Sequence, residues 1–294
     1  MKNPAFLFVL IIVMILSSTL CVHSQGSKSI QNLKGPYLGQ KPPGLIPEVF
    51  ASGIISDTGY RLHGFPAFSP DGNAVLLTLI PPEIKLLNNT GGVWIKPEKL
   101  DIPGRSVNAA NFSNDGKRIY FQAIIEGGYG SLDIWYMDLT DRGWSNPINI
   151  GSPVNTAKFE GQPSFTVDKT IYFAGALEGS GWNRGIYRSR MVDGKYTVPE
   201  ILNGLINSQY IDAYPFIAPD ESFLLFSSSR PSMDENDLKI YVKWSEPVNL
   251  NGKMKFDKSS RFPYLSPDSK YLFFQSSGSI YWIDAAIIKN AKEY

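Results

Sequence analysis

The sequence predicts an all-β protein, a β-propeller of five blades with four antiparallel strands in each. A turn with an aspartate recurs at spacings of 44, 53, 52 and 48 residues, and a proline recurs at spacings of 50, 50, 52 and 48. No segment between Leu45 and Trp282 has a sustained helical period. Short strands repeated about every 50 residues are typical of propeller blades. The turn aspartates are Asp71, Asp115, Asp168, Asp220 and Asp268. The recurring prolines are Pro47, Pro97, Pro147, Pro199 and Pro247.

Residues 1–24 form a predicted signal peptide. Lys2 precedes an apolar run from Ala5 to Leu16, and small or apolar residues before Gln25 suit cleavage after Ser24. Two alternatives stay open: lipidation at Cys21, and an uncleaved anchor, because the apolar segment is just long enough to span a membrane. Each of the three predicts an exported protein.

The composition narrows the location and the partners. Cleavage after Ser24 leaves no cysteine, which favours a bacterial envelope protein, periplasmic or extracellular, over a small disulfide-rich secreted domain. The net charge is +1 and no Lys/Arg run exceeds two residues, so a nucleic-acid partner is not expected. No second apolar run is long enough for a membrane span after processing.

The chain after the signal peptide divides into an arm and one domain. Residues 25–45 are polar with Gly and Pro punctuation, which predicts a linker or an arm along the surface. Residues 46–294 form the predicted single propeller domain.

Each repeat begins with a tight turn, clearest in Ser69-Pro70-Asp71-Gly72. Proline presets φ, aspartate bonds its own backbone, and glycine accepts a left-handed conformation. The third to fifth copies lack this glycine, so their turns are expected to be looser or mildly strained.

Short aromatic and β-branched strands follow the turns, as expected for strands buried between stacked sheets. The second strands are Ala74–Thr78, Arg118–Phe121, Thr170–Phe173, Phe223–Phe226 and Tyr271–Phe274. The third strands are predicted at Val93-Trp94, Ile134-Trp135, Ile186-Tyr187, Ile240-Tyr241 and Ile280-Tyr281. The fourth strand follows the repeated proline, which suits the outer edge of a blade because proline donates no ladder hydrogen bond.

The two ends of the chain complement each other. Four repeats have 26, 32, 31 and 27 residues between turn aspartate and outer proline, and 26 residues after Asp268 is the last residue, Tyr294. The fifth repeat therefore has room for three strands only. An outer-strand segment, Ile46–Phe50, stands before the first turn. The sequence predicts that this N-terminal strand completes the last blade and closes the ring, with six blades as the alternative.

The repeats resemble the WD40-like propeller repeats of the TolB type, most clearly in Phe68–Leu77 and Phe112–Phe121. The resemblance covers nearly all of the mature chain and implies a propeller in the bacterial envelope. TolB also has an N-terminal α/β domain, and nothing of that size precedes Pro47, so a propeller alone is expected. The resemblance is specific for the fold and leaves the function open.

Candidate site residues come from the start of each innermost strand, where propellers bind ligands at the channel mouth. Counting five residues back from the apolar residue before each turn gives one column, and the next residue gives a second. The candidates taken from these columns, one for each blade, are His63, Asn108, Glu160, Asp212 and Arg261. A histidine, two carboxylates and an arginine around one opening suit a polar ligand or acid–base chemistry. The alternative is that these polar residues only contact water at the channel mouth and have no function.

Other candidates are less regular. Trp182, in a glycine-rich loop outside the repeat register, is a sixth candidate contact residue. Three carboxylates in Met233–Asp237 suggest a solvated loop, with a calcium loop as the alternative. His63 is the only histidine after Ser24, so no multi-histidine metal site is expected. No metal or other cofactor is predicted.

Two functions from different classes follow. The first is a non-enzymatic, exported binding or assembly module whose partner is a protein or a polar small molecule or glycan at the channel mouth. The alternative is a carbohydrate-active enzyme resembling glycoside hydrolases, which use two carboxylates. No catalytic residue is assigned, and the candidates for that role are Glu160, Asp212 and His63.

Overall fold

The computed structural model describes residues 33–55, 61–176, 184–231, 237–243 and 246–291. This part of the chain is all-β, with five antiparallel blades arranged as a propeller. The predicted signal peptide with Cys21 lies outside the described residues. So do Trp182 and the acidic run up to Asn236.

The strands of the five blades follow one another along the chain. Blade 1 contains Arg61–Leu62, Ala67–Phe68, Ala74–Ile80, Glu83–Thr90, Val93–Trp94 and Glu98–Lys99. Blade 2 contains Arg105–Phe112, Arg118–Ile124, Asp133–Thr140, Gly143–Trp144 and Ile148–Asn149. Blade 3 contains Glu160–Phe165, Ile171–Ala176, Arg184–Ser189 and Glu200–Ile201, with a separate hairpin of Met191–Val192 and Lys195–Tyr196. Blade 4 contains Asp212–Ile217, Leu224–Ser228, Lys239–Lys243 and Pro247–Asn249, and blade 5 contains Arg261–Leu265, Tyr271–Ser276, Ser279–Asp284 and Glu48–Val49.

Helical segments are short and lie outside the blades. They are Pro36–Gly39, Leu250–Lys253 and Ala286–Asn290. No helix in the described ranges has the length and apolar character that a membrane crossing requires.

The predicted third strand of blade 1 was wrong. Val93–Trp94 pairs with Asn89 and Thr90 as the return of a hairpin, whereas the third strand is Glu83–Thr90. Leu100 donates its backbone N–H to Ile84 O in blade 1, as Ile150 does to Ile134 O in blade 2. Ile84 is therefore the blade-1 counterpart of Ile134, and it is followed by a lysine instead of an aromatic residue.

The core consists of one apolar cluster at each seam between neighbouring blades. Each cluster takes the inner-facing side chains of one blade and the facing side chains of the next. Representative members are Leu76 and Phe121 (blades 1 and 2), Tyr120 and Phe173 (2 and 3), Ile186 and Phe226 (3 and 4), Leu225 and Phe274 (4 and 5), and Phe68 and Phe273 (5 and 1). Burial between stacked sheets explains why the second strands are apolar on both faces.

The five turns share one geometry, with or without glycine. The residue after each aspartate has a left-handed φ: 71° at Gly72, 70° at Gly116, 68° at Lys169 and 58° at both Glu221 and Ser269. Hydrogen bonds from Ser69 (2.5 Å) and the Asn73 backbone (3.0 Å) to Asp71 are typical of the set. They lower the pKa of the Asp71 carboxyl. The turns without glycine were expected to be looser or mildly strained. Their left-handed backbone at residues with a Cβ atom indicates strain.

Blade 5 combines strands from two distant parts of the chain. Glu48 and Val49 pair antiparallel with Trp282 and Tyr281, and Phe50 N donates to Ile280 O at 2.8 Å. Phe50 is fully buried, with its ring centroid 5.1 Å from Phe273. The pairing is a feature of the structure, and we keep closure of the ring by this strand as a prediction.

Residues 33–45 lie across the seam between blades 5 and 1. Trp94 of blade 1 donates its indole N–H to Gly35 O at 2.8 Å, and Tyr37 donates its hydroxyl to Asp268 of blade 5 at 2.7 Å. Leu38 is fully buried in the seam cluster. Burial and the neighbouring Asp268 raise the pKa of the Tyr37 hydroxyl, so it keeps its proton and the hydrogen bond.

Candidate functional site

The innermost strands carry a repeated distortion next to the candidate columns. In blades 2 to 5 the pairing register shifts within the inner strand, and each of these strands has a left-handed residue with a φ of 54–57°. These residues are Ala109, Gln162, Tyr214 and Phe262, and blade 2 has a second one at Ser106. In blade 1 the inner strand is interrupted at Gly64, with a φ of 114°. Such bulges redirect side chains and are common beside functional sites.

The side chains at and beyond these bulges fill the central channel. Phe65 stacks on Tyr264 with ring centroids 4.6 Å apart, and Tyr214 lies 4.1 Å from Phe262. The Tyr264 hydroxyl also bridges to blade 1, since it accepts from Phe68 N at 3.0 Å and donates to Phe68 O at 3.1 Å. The cavity left among these residues is about 10 Å³, about the space of one water molecule.

Glu160 is buried at the start of blade 3 and bonds to its own loop. Its carboxylate accepts from the Thr156 backbone N–H at 2.8 Å and from the Thr156 hydroxyl at 2.5 Å. Burial raises the pKa of Glu160, while the hydrogen bonds from Thr156 oppose that shift. Its hydrogen bonds hold the loop that leads into the strand.

Asp212 has the equivalent place in blade 4 and the equivalent contacts. Its carboxylate accepts from the Ser208 backbone and hydroxyl, both at 2.7 Å, and pairs with Arg230 at 2.8 Å. The side chain is fully buried. Glu160 and Asp212 thus share no hydrogen-bond partner, and each is engaged within its own surroundings.

His63 lies at the seam between blades 1 and 5, beside the inner strand that begins at Arg261. The His63 ring is 5.0 Å from Phe262, the residue after Arg261. Burial lowers the pKa of His63, and the positive charges of Arg261 and Arg184 lower it further, so the ring is neutral at pH 7. Its buried Nδ1 has no hydrogen-bond partner among the described residues.

Asn108, in blade 2, is the second polar side chain here with an unused atom. Its Nδ2 donates to Ser106 O at 2.9 Å. Its Oδ1 is buried and accepts no hydrogen bond from any described residue. Buried polar atoms are normally paired, so an unpaired one next to a channel mouth marks a position that a ligand can satisfy.

Three glutamines missed by the sequence reasoning connect neighbouring blades at the bulges. Gln122 Oε1 accepts from Gln162 N at 2.8 Å, and Gln162 Oε1 accepts from Tyr214 N at 3.1 Å. Gln275 accepts from Gly64 N at 3.4 Å and also donates to Leu62 O. Arg184, which affects His63 and lies with its guanidinium 4.9 Å from the Phe159 ring, was missed as well.

One signal for the roles of the carboxylates was present in the sequence. Val-Asn-Thr at 154–156 and Ile-Asn-Ser at 206–208 each precede the acid by four residues, which places a hydroxyl and an N–H within reach. The asparagines of these triplets bond the third strand of the preceding blade: Asn155 accepts from Ile134 N at 2.9 Å and Asn207 from Ile186 N at 2.7 Å. The triplets therefore position blade against blade.

The opposite end of the channel has a different character. A cavity of about 270 Å³ lies there among turn residues from all five blades, and its lining includes Phe68, Phe112, Val167, Phe216 and Tyr264. It is largely apolar, in contrast to the polar mouth. The described residues contain no group of three or more His, Cys, Asp or Glu side chains arranged to hold a metal ion.

Comparison with known proteins bears on the fold. No model of a known protein family matches the sequence, and no curated protein matches it. Among solved structures, a protein assigned as TolB from Agrobacterium tumefaciens is similar with 21% identity and a TM-score of 0.52, over 76% of this chain and 70% of that one. TolB from Acinetobacter baumannii is similar with 18% identity and a TM-score of 0.47, over 75% of this chain and 53% of that one. A thermostable family-43 glycoside hydrolase is similar with 13% identity and a TM-score of 0.48, over 76% of this chain and 88% of that one.

At these identities the similarity concerns the fold and leaves the activity open. The first similarity agrees with the all-β propeller fold described above. The chain therefore has the fold of a TolB-like β-propeller.

Proposed function

We propose that this protein is an exported binding or assembly module of the bacterial envelope that takes a polar ligand at the channel mouth. The observation that carries the proposal is the pair of unpaired buried atoms, His63 Nδ1 and Asn108 Oδ1, in neighbouring blades at that mouth. Burying a polar atom without a partner costs free energy, which a ligand with matching groups recovers.

Three further observations support binding in preference to catalysis. Glu160 and Asp212 are buried in separate hydrogen-bond sets, so neither has a free oxygen opposite the other. The left-handed inner-strand residues fix the mouth rigidly, which favours recognition. The filled channel keeps a ligand at the surface.

The test is a thermal-shift and calorimetric screen of the purified mature chain against polar small molecules and glycans. A ligand of this mouth raises the melting temperature of the wild type, and its affinity falls with Asn108→Ala or His63→Ala. Asn146→Ala, an exposed residue on the outer edge of blade 2, is the matched control and leaves affinity unchanged. N-terminal sequencing of the exported protein checks processing and is expected to start at Gln25.

The enzyme alternative makes a different prediction for the carboxylates. If Glu160 and Asp212 hold loops, Glu160→Gln and Asp212→Asn lower stability and produce no specific loss of turnover over a glycan panel. Turnover by the wild type that disappears in either variant, while the fold is retained by circular dichroism, would contradict the binding proposal.

A further inference from the structure

The candidate mouth contains two arginines that have no carboxylate partner in the described chain. Arg261 begins the inner strand of blade 5 and Arg184 begins the third strand of blade 3. Both are half-buried, and neither guanidinium makes an ion pair or a hydrogen bond with any described residue. Among the described residues, the Arg184 guanidinium lies over the aromatic face of Phe159. Because starts of first and third strands lie at one end of a blade, both arginines stand at the same end of the propeller.

The carboxylates of the same column are already engaged. The oxygens of Glu160 accept hydrogen bonds from Thr156, and those of Asp212 accept from Ser208 and pair with Arg230. These two acids therefore do not neutralise Arg184 and Arg261, which have no ion-pair partner among the described residues. Both positive charges lower the pKa of His63, in keeping with the place of the two arginines at the same end of the propeller.

The unpaired atoms define what a ligand must offer besides charge. Asn108 Oδ1 is an acceptor only, so its partner must be a donor, such as a hydroxyl group. His63 Nδ1 is a second position for a hydroxyl, because a hydroxyl both donates and accepts. A guanidinium prefers a planar carboxylate, which it binds through two parallel hydrogen bonds.

We propose that the mouth binds a carboxylate that also carries hydroxyl groups, such as an acidic sugar. Arg184 and Arg261 bind the carboxylate, and Asn108 Oδ1 and His63 Nδ1 receive the hydroxyls. This inference rests on the proposed function and specifies the ligand class of the same mouth.

The test is calorimetric titration of the mature chain with three probes. D-glucuronate carries both features, glucose lacks the charge, and inorganic sulfate lacks the hydroxyls. We expect glucuronate to bind at least about tenfold more tightly than either of the others. Arg261→Gln is expected to weaken glucuronate binding by about tenfold or more. Arg142→Gln, an exposed arginine in a hairpin away from the mouth, is expected to leave it unchanged.

A second variant separates the hydroxyl contact from the charge. Asn108→Ala is expected to weaken glucuronate binding and to leave sulfate binding unchanged, a pattern that general unfolding does not produce. Equal affinities for glucose and glucuronate, or equal losses in Arg261→Gln and Arg142→Gln, would overturn the inference. If a neutral ligand binds the wild type and is lost in Asn108→Ala while glucuronate does not bind, the mouth is a binding site and only the anionic class is wrong.

Discussion

One residue in each blade turn has a left-handed backbone, and its side chain differs between blades. Glycine is present at Gly72 and Gly116, where this conformation has little cost. Lys169, Glu221 and Ser269 adopt it with a Cβ atom, which costs about 1 kcal/mol at each position. The backbone hydrogen bond to the turn aspartate is kept in all five copies, so the surrounding turn imposes the conformation.

Lys169→Gly is expected to stabilise the protein by about 0.5–1 kcal/mol, because it removes the left-handed penalty at an exposed side chain. The matched change in the opposite direction is Gly72→Ala, where a Cβ would meet no atom within 4 Å and only the backbone is strained. Gly72→Ala is expected to lower the free energy of unfolding by a similar amount. Urea unfolding measures the stability of both variants. Destabilisation by Lys169→Gly would show that its side chain contributes more than the strain costs.

The sequence predicted where the turn and mouth residues lie better than it predicted which partners they bond to. The turn aspartates and the mouth columns follow from counting along a repeat, because strand alternation and turn chemistry are local. The bonding of Glu160 to Thr156 and of Asp212 to Arg230 depends on how loops fold back on their own blade. Counting along a strand does not reveal a partner on another strand, so both acids looked free.

Three inner strands are tied to the preceding blade through a backbone amide at or beside the bulge, at Gln162, Tyr214 and Gly64. A bulge leaves a backbone N–H outside the ladder, and a glutamine from the preceding blade accepts its hydrogen bond at Gln162 and at Gly64. Gln122 reaches Gln162 past Gly161, which has room for no side chain. A Cβ built on Gly161 would stand 2.0 Å from Gln122 Oε1.

Gly161→Ala is expected to displace the Gln122 side chain and to leave the Gln162 N–H unpaired, with a loss of about 1–3 kcal/mol. Gly204→Ala is the matched control, since its Cβ would meet only Asn207 O at 3.9 Å. Thermal unfolding compares the two, and amide exchange at Gln162 reports the bond itself. Equal melting temperatures with a protected Gln162 amide would show that the interblade bond is dispensable.

The element that the sequence misplaced shows how repeats diverge. An isoleucine followed by an aromatic residue marks the third strand in blades 2 to 5, but in blade 1 the strand Glu83–Thr90 has Ile84 followed by Lys85. Trp94 instead faces Asn89 in the hairpin that follows. It is fully buried and bonds to Gly35 of the arm, a contact between distant segments that periodicity does not encode.

In the whole molecule, the seam between blades 4 and 5 also contains Ile287 and Ile288 of the helix Ala286–Asn290. The seam between blades 5 and 1 receives the segment before the first turn. Phe50 and Leu38 are fully buried there. The prediction that the ends share a blade came from residue spacing, since a closed ring must supply every blade with an outer strand. The packing of Tyr37 on Phe68 and Tyr271, both at 5.0 Å, was not predicted, because this contact depends on the path of the arm.

Deletion of Leu45–Ser52 tests closure of the ring. It removes the outer strand of blade 5 and exposes a sheet edge, so we expect a large loss of stability and a tendency to aggregate. Phe50→Ala, expected to cost about 3–5 kcal/mol, measures packing alone. Ile46→Ala, at a side chain 75% exposed, is the control. If the strand closes the ring, the deletion lowers the free energy of unfolding clearly more than Phe50→Ala does. Equal losses would show that the segment stabilises the protein through the packing of Phe50 alone.

The aromatic plug makes the two ends of the propeller separate compartments. The cavity left among the aromatic side chains is about 10 Å³, and this packing separates the polar mouth from the apolar cavity at the turns. If the mouth binds a ligand as we propose, that ligand enters and leaves on one side of the plug. The cavity on the turn face is then available to a second occupant at the same time.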